Sequence, residues 1–169
     1  NYKFVVWPRV QHILNTFPYA NTVSSFLEVL DDYGTANVLH LANKVKTTRL
    51  HEITLFCQKN GIETTRHLTE FLKYNSNIEL LKQIDGIGDK TCDYLKRLLG
   101  FDIVAVDRHV RSFIESADIM YSDYNDIKDV VEYAADFMEC TRRMLDYSIW
   151  TYMAGRNQKN DIQLSFDFQ

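Results

Sequence analysis

The chain has 169 residues, 46% of them hydrophobic and 25% charged, enough for the core of one domain or of two small lobes. Only 6 Gly and 2 Pro leave few breakers, which argues against a turn-rich all-β fold and for helices. A net charge of −4 counts against a partner held by bulk basic charge, although a local basic surface would still suffice for nucleic acid.

The 3 cysteines, Cys57, Cys92 and Cys140, are widely spaced and form no CxxC. They read as free thiols in a reducing, cytoplasmic compartment, Cys57 and Cys92 buried in helical patterns, and give no zinc site or cysteine-held iron–sulfur cluster. No apolar run approaches the roughly 20 residues that span a bilayer. No signal peptide is visible, and the chain begins at Asn1 without Met, which leaves room for native residues upstream.

Asn1 to Trp7 reads as a short strand or a helical lead-in. Pro8 suits the first position of a helix to about Phe17, and Pro18 ends it. Asn21 or Thr22 caps a helix with Val23, Phe26, Leu27 and Leu30 on one face and Gly34 behind it. Thr35 to Val45 reads as another helix. Thr47 or Thr48 starts the next, which Gly61 closes. Thr64 or Thr65 caps a short helix bearing Leu68, Phe71 and Leu72. Ser76 and Glu79 match a capping box that opens a helix through Leu80, Leu81 and Ile84.

A glycine turn follows, then a helix from Asp89 to Leu99, closed by Gly100. Phe101 to Val106 is apolar and β-branched. A lone strand would have no partner, so it reads as a buried extended connector, with Asp107 capping the helix after it. From Asp126, Ile127, Val130, Val131, Ala134, Phe137 and Met138 recur at helical spacing. A last helix runs from about Thr141 to Ala154, Gly155 stops it, and Arg156 to Gln169 is a polar tail. The fold class is all-α.

The turn and two polar residues near it carry chemistry. Glycines accept φ > 0, and a turn built on Gly86-Ile87-Gly88 bares the backbone N–H groups at a helix start. That end is the positive pole of the helix dipole and can hold a phosphate oxygen without a basic side chain. Lys90 stands in the first helical turn, where the dipole disfavours a cation and raises the neutral fraction that a nucleophilic amine needs. Asp107, as a cap, is held ionised and fixed in direction, as a group facing a developing positive charge must be. Each has a plainer reading: a helix connection, a solvated lysine, an ordinary cap.

Together, in LLKQIDGIGDKTCDYLKRLLGFDIVAVDRHV, they resemble the helix-hairpin-helix DNA glycosylases of base excision repair, the group that includes endonuclease III and 8-oxoguanine glycosylase. The family hairpin, leucine-proline-glycine-valine-glycine-x-lysine, is here Ile84-Asp85-Gly86-Ile87-Gly88-Asp89-Lys90, and its valine-aspartate-x-histidine string is Val106-Asp107-Arg108-His109. The likeness is strong over Ile78 to Phe113 and weaker from Tyr147 to Arg156.

The resemblance implies two helical lobes with the active-site cleft between them: 20–106, containing the helix-hairpin-helix at 76–99, and 1–19 with 107–157, followed by a tail at 158–169. It implies a bifunctional glycosylase and abasic-site lyase acting, as a DNA-associated monomer, on duplex DNA with a damaged, oxidised base or an abasic site. Lys90 matches the amine that attacks C1′ and Asp107 the carboxylate that assists it; Gly86, Ile87, Gly88 and Thr91 match the phosphate-holding turn. Carbonyls of Lys82, Ile84 and Ile87 match those that hold a Na+ or K+ ion. Arg108, His109 and Arg111 stand where they can touch DNA, Lys96 and Arg97 could meet its backbone, and Trp7, Tyr147, Trp150 and Tyr152 could line a base pocket or simply pack in the core. Gln11, His12 and Asn15 are candidates to fill the gap left by the extruded base.

Two departures matter. The hairpin proline is replaced by Asp85, and no cluster cysteines follow Gly155-Arg156, so no iron–sulfur cofactor is expected. Two other functions stay open: a monofunctional glycosylase with water activated by Asp107, and a non-catalytic DNA-binding module. The end of the chain, Gln163, Leu164, Phe166 and Phe168, resembles the peptides by which bacterial repair proteins dock on the sliding clamp; alternatively Phe166 and Phe168 pack back onto the domain.

Overall fold

A computed structural model describes residues 2–166, with side chains over 3–155. Among these the regular elements are helical, with no strand. The chain forms two compact units, Asn1–Ile87 and Gly88–Gln169. The lobe division implied by the resemblance concerns assembly, and it stays with that resemblance.

The first unit opens with a π-helical turn, Tyr2–Val6, leading into α1 (Trp7–Thr16), which has its proline in the first turn. Then come α2 (Val23–Tyr33), α3 (Thr35–Val38), α4 (Lys44–Lys59), α5 (Thr65–Phe71) and α6 (Asn75–Leu81). Thr22 caps α2 reciprocally: Thr22 Oγ1 accepts from the Ser25 N–H at 3.2 Å and Ser25 Oγ from the Thr22 N–H at 3.1 Å. Glu63 accepts from the Ser24 N–H at 2.9 Å and its hydroxyl at 2.5 Å, which lowers the Glu63 pKa and ties the loop before α5 to the start of α2. Phe17, Val29, Leu30 and Val38 form the core here. Burial pushes the Cys57 thiol up to about 11, consistent with a buried, unreactive thiol.

Three expected helix limits shift. The helix expected over Thr35–Val45 ends at Val38, because the chain turns left-handed at His40 (φ 47°). Asn43, not Thr47 or Thr48, caps α4: its Oδ1 accepts from the Lys46 N–H at 3.0 Å, while the buried Thr47 hydroxyl donates to the Lys44 carbonyl at 2.9 Å. The capping box on Ser76 does not form. The helix starts a residue earlier, at Asn75, so Ser76 lies inside it, and Glu79 pairs with Lys82 at 3.1 Å.

The second unit holds α7 (Asp89–Leu98), α8 (Arg108–Ser116), α9 (Tyr124–Phe137) and α10 (Arg142–Phe166). Its core joins Val104 and Val106 of the connector to Val110 and Ile114 of α8, Ile127 and Val131 of α9, and Ile149 and Met153 of α10. The connector is extended and unpaired with any strand, as expected, and side chains take its amides. The Val104 N–H donates to Glu132 Oε1 at 3.0 Å, the Ala105 N–H to Asp146 Oδ2 at 3.2 Å, and the Val106 N–H to the Tyr124 hydroxyl at 3.1 Å. At its ends, Asp102 accepts from the N–H groups of Arg142 and Arg143 at 3.3 and 3.0 Å, and Asp107 caps α8.

Other expectations fail here. Helix α9 begins earlier than Asp126, at Tyr124, capped by Asp123. Phe137 and Met138 are 79% and 62% exposed, because the buried stripe of Ile127, Val131 and Ala135 ends a turn before them. Gly155 does not stop α10, which runs on to Phe166. Its φ is not in the left-handed range that a glycine stop uses, and an interior glycine costs only about 1 kcal/mol. The side chains of Gln163, Leu164 and Phe166 lie outside those described and Phe168 outside the described residues, so the docking-peptide expectation rests on sequence alone.

The Tyr124 hydroxyl accepts from Val106 and donates to Asp93 Oδ2 at 3.1 Å. Burial, then the Asp93 charge, raises its pKa, so it stays a phenol. Tyr124→Phe leaves the Val106 amide without its acceptor and lowers stability by about 1–3 kcal/mol. Urea unfolding measures this as a fall in midpoint at constant slope.

Candidate functional site

The glycine turn follows α6 at residues 82–88. The Ile87 N–H donates to the Ile84 carbonyl at 3.0 Å. Gly86 has φ 73°, so a glycine is needed there; Gly88 is extended (φ −122°) and is the N-cap of α7. The Thr91 and Cys92 N–H groups return to the Gly88 carbonyl at 2.9 and 3.1 Å. Arg49 of α4, missed from sequence because it lies far from the motif, reaches this turn: its Nε donates to the Asp85 carbonyl at 2.6 Å, and its guanidinium covers the face of Gly86 where a Cβ would stand. The Asp85 carboxylate is 97% exposed and 3.8 Å from the guanidinium, so the acidic residue in the proline position faces solvent beside a cation. Lys82, Ile84 and Ile87 lie in the turn, with Lys82 Nζ on Glu79 at 3.1 Å.

Asp107 stands at the N-terminus of α8. Its Oδ1 accepts from the His109 and Val110 N–H groups at 2.8 and 3.0 Å, which fixes the carboxylate and leaves Oδ2 outside the cap. It borders a cavity of about 400 Å3 within the second unit. Tyr94 and Leu98 of α7 and Tyr147 and Trp150 of α10 give it flat apolar walls, the last two rings stacked at 6.1 Å and 21°. Its polar side is Asp107, Arg97, Asp146 and Arg143. Arg97 Nη1 donates to Asp146 Oδ2 at 2.6 Å. Burial raises the Asp146 pKa, against the lowering by the Ala105 N–H and Arg97, and the charge of Asp107 raises it further.

Lys90 is exposed in the first turn of α7. Tyr94, Arg97 and Leu98 follow it at the i+4, i+7 and i+8 positions, so Lys90 shares the helix face that borders the cavity, one turn nearer the glycine turn. Beside this face on α7, the buried Asp93 holds Lys128 Nζ at 2.9 Å and the Tyr124 hydroxyl, which fixes that helix against the connector.

The other expected residues divide. Tyr147 and Trp150 line the cavity, whereas Tyr152 sits edge-on to Phe113 at 6.1 Å and Trp7 is 41% exposed on α1 of the first unit. His109 is buried, with its ring edge-on to Trp150 at 6.2 Å. Arg108 is exposed, its Nε 3.4 Å from His109 Nε2. Arg111 Nη1 donates to the Tyr121 hydroxyl at 3.0 Å and the guanidinium lies over that ring. Thr91 is half-buried. Lys96 lies over the Phe101 ring, and Arg97 points its charge at Asp146. Gln11 and Asn15 are exposed on α1, and the His12 ring lies tilted against His40 at 4.0 Å. Tyr94, Asp146 and Arg143 were missed as site residues; Tyr94 alone had a signal, its helical spacing from Lys90. Among the described residues no cluster of His, Cys, Asp and Glu is arranged to hold a metal, and no helix is long and apolar enough to cross a membrane.

The cap and the charge of Asp107 are separable. Asp107→Asn keeps a good N-cap and leaves stability within about 0.5 kcal/mol, whereas Asp107→Ala costs about 1 kcal/mol, both read from unfolding midpoints.

No curated protein and no solved structure matches the chain. A family model described as a domain of unknown function, DUF8548, matches residues 10–154, which takes in the glycine turn, Lys90, Asp107 and every residue that borders the cavity. The chain therefore belongs to the DUF8548 family.

Proposed function

We propose that this protein is a bifunctional DNA glycosylase and abasic-site lyase with a helix-hairpin-helix glycosylase fold. It removes a damaged, oxidised base from duplex DNA and nicks the strand. One observation carries the reading. The α7 face that bears Lys90 continues into the wall of an aromatic-lined cavity, and Asp107, fixed by its cap, stands at that cavity's edge. The sequence likeness over Ile78 to Phe113 supports the same assignment.

In this reading the damaged nucleotide is extruded from the duplex, because a stacked base cannot be reached, and its base enters between the aromatic walls. The neutral Lys90 amine forms a bond to C1′ while the glycosidic bond breaks; the base leaves with that electron pair and takes up a proton. Asp107 faces the positive charge that develops on the sugar. Opening of the sugar ring gives the Schiff base. Loss of a C2′ proton then breaks the C3′–O bond and releases the 3′ phosphate, and water frees the lysine. The glycine turn and the N–H groups at the start of α7 hold a backbone phosphate, with or without a Na+ or K+ ion on the carbonyls of Lys82, Ile84 and Ile87. The chemistry calls for no cluster or organic cofactor. The protein acts as a DNA-associated monomer, and a sliding clamp is a further partner through the end of the chain.

The test is covalent trapping. With borohydride and duplexes bearing abasic sites or oxidised bases, the wild type forms a protein–DNA adduct. Lys90→Gln forms none. Asp107→Asn, which keeps the fold, slows trapping by about 100-fold, the scale of losing one charged group that acts on the transition state. An adduct that survives Lys90→Gln overturns the lysine assignment. Base release without an adduct points to water as nucleophile, and binding alone to a non-catalytic module.

A further inference from the structure

The proposed reaction leaves one pair of cavity residues without a task. Arg97, from α7, and Asp146, from α10, form an ion pair at the cavity's polar side. Arg97 and the Ala105 N–H both donate to the same oxygen, Asp146 Oδ2, at 2.6 and 3.2 Å. Asp146 is only 3% exposed, yet among the described residues no sealed side-chain oxygen or nitrogen lacks a partner. Its other oxygen, Oδ1, accepts no bond there and is therefore not sealed, and Asp146 borders the cavity. Arg97 has further N–H groups beyond the one given to Asp146. The pair therefore presents an acceptor beside a donor in the cavity whose walls include Tyr94 and the stacked Tyr147 and Trp150.

A planar ring held between those walls meets the pair along its edge. The complement of acceptor-beside-donor is an edge carrying an N–H next to a C=O or a ring nitrogen. Oxidation of a base leaves such an edge in place or creates one, since a new ring carbonyl comes with a new ring N–H. Closure of an etheno ring across N1 and N6 of adenine removes it. A site built to hydrogen-bond such a group rejects a ligand that lacks it, because its own buried polar atoms are then left unpaired.

We propose that the Arg97–Asp146 pair reads the edge of the extruded base and makes this protein selective for bases that keep an N–H donor beside an acceptor, oxidised bases among them, against etheno bases. The inference rests on the glycosylase reading above. It adds a specificity-determining pair that touches the base and not the sugar.

Asp146→Asn is the sharp variant. Arg97 and the Ala105 N–H hold the amide oxygen at the Oδ2 position, so the NH2 group takes the cavity-facing place and turns an acceptor into a donor at nearly constant volume. The experiment compares single-turnover excision from duplexes carrying 8-oxoguanine, 5-hydroxyuracil or 1,N6-ethenoadenine with cleavage of a preformed abasic site, which has no base to read. The expected result is excision of the first two bases and not of the third. In Asp146→Asn, the ratio of base excision to abasic-site cleavage falls about 10- to 100-fold. Equal excision of the etheno base overturns the proposal, as does an unchanged ratio in the variant. A parallel loss of both activities also overturns it, because the pair is then only structural. If the wild type neither cleaves nor traps abasic DNA, the glycosylase reading itself fails, a result distinct from all the others.

Discussion

An extended segment buried without a neighbouring strand must find other acceptors for its N–H groups, since each one left unpaired costs a few kcal/mol. The connector at Val104–Val106 is such a segment, with the side chains of all three residues in the core or buried beside it. Its amides go to Glu132, Asp146 and Tyr124, and these acceptors are held in turn by Arg142, by Arg97, and by Asp93 with Lys128. Helices α7, α9 and α10 are thus fastened to one stretch of backbone. That stretch ends on Asp107, whose position follows from the same bonds and from the two N–H groups of α8 that it caps.

This arrangement explains an apparent contradiction in the composition. The chain is acidic overall, and several of its cations are engaged internally: Arg97 with Asp146, Lys128 with Asp93, Arg142 with Glu132 and Asp136. A phosphate is then better served by backbone N–H groups at a helix start than by a basic face. In the function we propose, the acidic residues are the scaffold's own fasteners and need not meet DNA.

Much of the second unit was legible in the sequence. A run of apolar, β-branched residues with no partner strand read as a connector rather than a strand, and an aspartate after it, before a helical period, read as a cap, whatever further task it has. The cavity was not legible, because it depends on which faces of α7 and α10 meet: Tyr94, Arg143 and Asp146 carry no local signal of that. Asp146 reads as an ordinary helix acid until its bonds to the connector are seen. Helix ends were misread where a backbone event overrode side-chain preference, at His40 with its left-handed φ and at Gly155 without one. Ser76 misled for a related reason: the capping pattern is defined by where the helix starts, and α6 starts at Asn75.

The central claim is that Lys90 is the nucleophile, working at the cavity that Asp107 borders. Peptide mapping of the borohydride-trapped complex by mass spectrometry tests it most directly, since it identifies the modified residue without any substitution. A reduced deoxyribose remnant is expected on the peptide containing Lys90. A remnant on another lysine, or on the chain's terminal amine, would contradict it.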